Sequence, residues 1–131
     1  MLSTAKLVGF VATTKAPEAK KFYGEVLDLA LVEDSPFALV FDANGTTLRI
    51  QKVQALSPFG YTALGWEVGD IDGLVQSLNK RGVRFERYSG LAQDDAGIWS
   101  APGGARVAWF KDPDGNTLSI TQEATPRNAG V

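Results

Sequence analysis

Few side chains in this sequence can do chemistry, and their types restrict which chemistry it can be. There is no Cys and no His. Disulfides, thiolate nucleophiles, Ser-His-Asp triads and imidazole or thiolate metal ligands are therefore excluded. Any catalysis has to rest on carboxylates, amines, guanidinium groups, phenols or hydroxyls. Two charges stand out because each lies on the polar side of an alternating, strand-like run: Arg49 and Glu67. A guanidinium is a rigid fork of donors suited to an anion or a carbonyl. The alternative is an exposed Arg, or one paired within the protein. Glu67 is a candidate general base, or else the partner of Arg49. Gln51, Thr117, Ser119 and Thr121 add neutral donors and acceptors on the same kind of face, either to orient a ligand or simply to meet water. Phe10, Trp99 and Trp109 supply flat apolar surface for stacking. Trp99 sits in the stretch Ala96-Gly97-Ile98-Trp99-Ser100, where it closes a cavity as a lid or seals a subunit interface, and Tyr88 is a candidate of the same kind. Trp109 and Phe110 are neighbours, so they point to opposite faces and one of them should reach the ligand. Phe22, Tyr23, Val26 and Trp66 read as core.

The elements that must position these residues come from a repeat. Asp42-Ala43-Asn44-Gly45-Thr46-Thr47-Leu48-Arg49-Ile50-Gln51 returns 70 residues later as Asp112-Pro113-Asp114-Gly115-Asn116-Thr117-Leu118-Ser119-Ile120-Thr121, with five identities in ten. Each copy reads as a tight turn into a strand, because Asn-Gly and Asp-Gly tolerate the positive φ of a hairpin turn. Alternation then separates Leu48 and Ile50 from Thr47, Arg49 and Gln51, and Leu118 and Ile120 from Thr117, Ser119 and Thr121. Around the first copy the pattern predicts strands over 6–13, 29–33, 37–41 and 46–53. A helix after Pro17 carries the stripe Ala19, Phe22, Tyr23, Val26 and Leu27, with Thr14 to Ala16 as its capping region and Asp28 where a terminating Gly is usual. Around the second copy, strands are predicted over 61–68, 83–88, 106–110 and 116–122. The second helix starts at Asp70, buries Ile71, Leu74, Val75 and Leu78, and stops at Gly82. Residues 89–104 are expected to be irregular and the tail from Glu123 to fray. Asp112–Gly115 and Gly103-Gly104 lack the further ligands of a calcium loop and the context of a phosphate loop, so both read as turns. Asp94-Asp95 reads as solvated loop.

The chain is thus predicted to be α+β, one domain of 131 residues built from two tandem βαβββ modules, about 5–55 and 61–124, with a linker at 54–60 and a tail at 125–131. In each module a helix covers one sheet face, and the two open faces are expected to curve around a shared cleft. A net charge of −2 gives no basic field for nucleic acid or membrane. No run is long enough to span a bilayer. The first residues lack the apolar core of a signal peptide, so a cytoplasmic location is expected.

Paired βαβββ modules, Phe22-Tyr23-Gly24-Glu25-Val26-Leu27-Asp28-Leu29 after the first strand, and Phe110-Lys111-Asp112-Pro113-Asp114-Gly115-Asn116 before the last resemble the vicinal oxygen chelate superfamily. Glyoxalase I, the bleomycin resistance proteins and the extradiol dioxygenases belong to it. The resemblance implies a homodimer and a small-molecule ligand. Family enzymes hold a divalent metal with one side chain from the first and fourth strand of each module. Those positions fall here on Val8, Arg49, Ala63 and Ser119. The resemblance therefore implies the scaffold without the metal and without a cofactor. The leading expectation is a binder of a planar or aromatic molecule, of the drug-sequestration type, using Phe10, Arg49, Gln51, Glu67, Trp99, Trp109, Ser119 and Thr121. One alternative is a metal-independent isomerase or lyase with Glu67 as base and Arg49 steadying an enolate. Another is a ligand-free structural or regulatory dimer whose cleft is filled by Phe10, Phe37 and Trp109.

Overall fold

Alternation and turn chemistry build two four-stranded sheets, seen in a computed structural model that describes residues 1–124. The expected fraying of 125–131 lies outside the described residues. The first sheet comprises β1 (Val8–Thr13), β2 (Ala30–Asp34), β3 (Ala38–Ala43) and β4 (Thr46–Lys52), in the order β1-β4-β3-β2. The second comprises β5 (Thr62–Glu67), β6 (Trp99–Ser100), β7 (Arg106–Lys111) and β8 (Thr117–Gln122), in the order β5-β8-β7-β6. Helix α1 (Ala16–Lys21) follows β1, and α2 (Ile71–Lys80) follows β5. The two halves share one topology, with the central strand parallel to the first strand and antiparallel to the third. By compactness the chain forms two units. One is Met1–Phe59 with Asp112–Asn116, and the other is Gly60–Lys111 with the chain from Thr117 onward.

In the first unit Leu39, Phe41, Leu48 and Ile50 are all but fully buried, along with Tyr23 and Ala19 of the helical segment. The helix differs from expectation. It is α-helical only to Lys21 and continues as a π-helical turn, Phe22–Val26, closed by the Leu27 N–H donating to the Phe22 carbonyl. Asp28 takes the left-handed position at φ 62°, which Asp tolerates better than most side chains. Thr14 does not cap the helix. Lys15 is the N-cap, and its ammonium has no acceptor to offer the helix N–H groups, while the Thr13 and Thr14 hydroxyls both donate to Asp114.

The two copies of the repeated turn are not the same turn. Asn44 (φ 51°) and Gly45 (φ 91°) make the two-residue hairpin expected between β3 and β4. Asp112–Asn116 is a five-residue connection in which only Gly115 has positive φ. Its Asp112 is 6% exposed, and the two carboxylate oxygens accept from Asp114 N–H, Asn116 N–H, Asn116 Nδ2 and Tyr23 OH, the last at 2.7 Å. Burial first, and then the Asp112 charge, pushes the Tyr23 hydroxyl far above the usual phenol range, so it stays a donor. Asp114 accepts from Thr14 N–H at 2.8 Å as well as from the two hydroxyls. Burial works against ionisation here, but these bonds and the Lys15 charge outweigh it and hold the carboxyl below its ordinary 3.8.

The second unit carries two corrections. Residues 83–88 do not form a strand, and a short strand, β6, lies inside the stretch expected to be irregular. Phe85 bridges Phe110 and Glu86 N–H donates to Trp109 O, so the edge of β7 does begin to pair. Pairing stops because the next donor, Tyr88 N–H, goes to Gln93 Oε1 at 2.7 Å. Trp99 and Ser100 then resume the edge opposite Val107 and Arg106. The α2 signals hold: Asp70 accepts from Gly73 N–H, and Gly82 follows at φ 91°.

Tyr23→Phe should destabilise the protein by about 2 kcal/mol, read as a lowered urea midpoint, because the buried Asp112 loses a donor. Asp114 binds its proton more weakly folded than unfolded. Its contribution is therefore complete above about pH 4 and is lost as pH falls through the depressed folded value. Asp114→Asn should be less stable than wild type at neutral pH, and urea titrations should show that gap closing below about pH 4.

Candidate functional site

Strand register decides which side chains share a face. In the first unit Phe10, Arg49 and Val40 stand in one row across β1, β4 and β3, with Ala12, Gln51 and Ala38 in the next. This is the face opposite Leu48 and Ile50. Phe10 is 52% exposed, Arg49 is half-buried and Gln51 is exposed. The Arg49 guanidinium has no hydrogen-bond or ion-pair partner among the described residues. A fixed cation thus sits beside an open phenyl ring.

In the second unit Gly65, Ser119 and Trp109 stand in one row across β5, β8 and β7. Glu67, Thr121, Val107 and Trp99 form the next, reaching to β6. The opposite face carries Leu64, Leu118 and Phe110, then Trp66, Ile120 and Ala108. Phe110 is the buried member of the Trp109–Phe110 pair and packs edge-on against Phe85 at 5.5 Å. Trp109 is the one on the open face, half-buried. Its ring centroid lies 6.2 Å from Trp99, with the planes tilted 34°, and 5.5 Å from Tyr88 at 86°. The three rings form an aromatic corner, so Trp99 is a strand residue packed on a neighbour. Glu67 is exposed, Thr121 half-buried and Ser119 only 8% exposed.

Tyr88 reaches this corner because the loop after Glu86 is held from within. Gln93 Nε2 donates to the carbonyls of Glu86 and Gly97, at 2.9 and 2.8 Å. Both terminal nitrogens of Arg87 donate to Asp94 O, and Asp94 Oδ1 accepts from Ala96 and Ile98 N–H. Asp94 is exposed, as expected, and also organises its loop. Burial, and then the Glu86 charge, raises the Tyr88 hydroxyl above the usual phenol value. The sequence signal for Gln93 was slight: a lone amide in a Gly- and Asp-rich stretch.

A sequence profile for the Glyoxalase/Bleomycin resistance protein/Dioxygenase superfamily matches residues 7–120. The chain belongs to this superfamily. Solved structures agree in fold. A superfamily member from Sphaerobacter thermophilus is 24% identical with a TM-score of 0.73, over 94% of this chain and 100% of that one. An antibiotic binding protein, TnmS3 from Streptomyces sp. CB03234, is 24% identical with a TM-score of 0.70, over 95% and 99%. A genomically encoded fosfomycin resistance protein, FosX from Listeria monocytogenes, is 14% identical with a TM-score of 0.70, over 92% and 91%. No curated protein matches in sequence.

The sequence resemblance assigns the metal positions of superfamily enzymes to Val8, Arg49, Ala63 and Ser119, and their chemistry can be tested against a metal. Val8 stands on β1 in the strand parity of Phe10, and it is Phe10 that pairs with Arg49. Ala63 is the unpaired residue of a β-bulge between Thr62 and Leu64, which leaves Gly65 beside Ser119. Val and Ala carry no donor atom, Arg is a permanent cation, and Ser119 offers one neutral hydroxyl. This set does not fit a divalent cation. Among the described residues no three acidic side chains converge in a metal-holding group, and no helix is long and apolar enough to cross a membrane.

The Trp99–Trp109 geometry should give an exciton couplet in circular dichroism, from the strong far-ultraviolet indole transition. Trp99→Phe and Trp109→Phe should each remove the couplet, and Trp66→Phe should leave it.

Proposed function

We propose that this protein binds a small planar or aromatic molecule without a metal ion, as a sequestering protein of the bleomycin resistance kind. The observation that carries the reading is the aromatic corner of Trp99, Trp109 and Tyr88 on the same sheet face as Ser119, Thr121 and Glu67. Flat rings stack on such a corner, and the hydroxyls at its edge fix polar substituents. In the first unit, taken by itself, Phe10 and Arg49 set an apolar ring beside a fixed positive charge suited to an anionic or carbonyl group, and Gln51 adds an amide beside them. An antibiotic binding protein and a fosfomycin resistance protein among the structural neighbours are in keeping with a drug-sized ligand. The reading includes a cytoplasmic homodimer, as the sequence and the superfamily resemblance imply.

The exposure of Glu67 favours a role as a polar contact over that of a desolvated catalytic base.

Thermal-shift and equilibrium-dialysis measurements with a panel of fused-ring aromatic compounds test the proposal. Flat ligands should raise the melting temperature. Trp99→Ala and Trp109→Ala should each weaken binding by about 1–3 kcal/mol, the usual worth of a stacked ring. Arg49→Ala should weaken chiefly the ligands that carry an anionic group. A large stabilisation by zinc or manganese that a chelator reverses would overturn the metal-free part.

A further inference from the structure

Among the described residues, a nearly buried hydroxyl of the aromatic face has no hydrogen-bond partner. Ser119 is more than nine-tenths buried, and its Oγ makes no hydrogen bond among the described residues. That oxygen is not sealed off, because no described side-chain nitrogen or oxygen is both fully buried and unpaired. A nearly buried hydroxyl left open toward one side is costly unless water or a ligand completes it.

Gly65 explains where the hydroxyl points. A Cβ on Gly65 would lie 2.6 Å from Ser119 Oγ, closer than such atoms can approach. Gly65 does not adopt a positive φ, so the missing side chain matters here and backbone freedom does not. Ser119 stands between Gly65 and Trp109 in the row. The hydroxyl therefore leans toward β5, away from the Trp109 strand.

We propose that Gly65 and Ser119 form a specificity element. Gly65 holds the Ser119 hydroxyl at the edge of a ring stacked on Trp109, where it hydrogen-bonds a carbonyl or hydroxyl substituent of that ring. The ligand class is then a fused aromatic bearing an oxygen on its rim. Gly65 is a positioning residue and Ser119 the contact. This inference rests on the binding reading above.

Two probes of the same shape separate the two ideas: 2-naphthol and 2-methylnaphthalene, measured by equilibrium dialysis at neutral pH. Wild type should hold 2-naphthol about three- to tenfold more tightly, the usual net worth of one hydrogen bond. Ser119→Ala should lose this preference and keep its affinity for 2-methylnaphthalene. Gly65→Ala should also lose it, since the new methyl displaces the hydroxyl. Because Ser119→Ala only removes an atom, it remains decisive if Gly65→Ala folds poorly. Equal affinities for the two rings in wild type, or a preference that survives Ser119→Ala, would overturn the inference and leave the binding reading standing. Failure of both rings to bind would overturn both.

Discussion

The ladders on either side of the central strands, β4 and β8, govern the arrangement of everything else. Each is bonded to a parallel neighbour and to an antiparallel one. A one-residue slip in either would send its apolar residues to the open face and its polar residues into the core. Leu48 and Ile50, and Leu118 and Ile120, are 0–3% exposed, so burial locks the register. The same lock presents Arg49 in the first unit and Ser119 in the second.

The polar knot around Asp112 is a second constraint, within the first unit. Its carboxylate is buried and accepts four hydrogen bonds, from the Tyr23 hydroxyl, the Asn116 amide and two backbone N–H groups. Asn116 Nδ2 also donates to Ala12 O. A buried carboxylate is tolerated when its lone pairs are satisfied in this way. The knot accounts for the full burial of Tyr23 despite its hydroxyl and for the greater length of the second turn, and Asp114 in the same turn takes the hydroxyls of the threonines ahead of α1.

The aromatic corner follows from a competition at the edge of β7. Gln93 takes the backbone donor that would have extended the pairing of residues 83–88. The chain then makes an excursion that brings Tyr88 against Trp109, and it returns as β6 with Trp99 on the same side. The interrupted edge strand thereby assembles an aromatic corner that an unbroken strand would have no means of closing. On that face Ser119 stands between Gly65 and Trp109, with its hydroxyl toward Gly65.

By itself the sequence determined the two modules, the strands other than β6, their alternation, the Asn44-Gly45 hairpin and the start and stop of α2. These rest on local chemistry: period-two burial, turn residues and caps. It also determined that no His or Cys could serve a metal, and its motifs carried the superfamily. Tertiary structure decided the rest, because each remaining feature depends on a partner far along the chain. Asp114 lies 100 residues from Thr14 and engages its hydroxyl, and Asp112 fixes a tyrosine 89 residues away. The bulge at Ala63 sets Gly65 beside Ser119, and Gln93 ends a strand that periodicity favoured. No local pattern records which donor a side chain takes from a ladder, and that choice placed the aromatic corner.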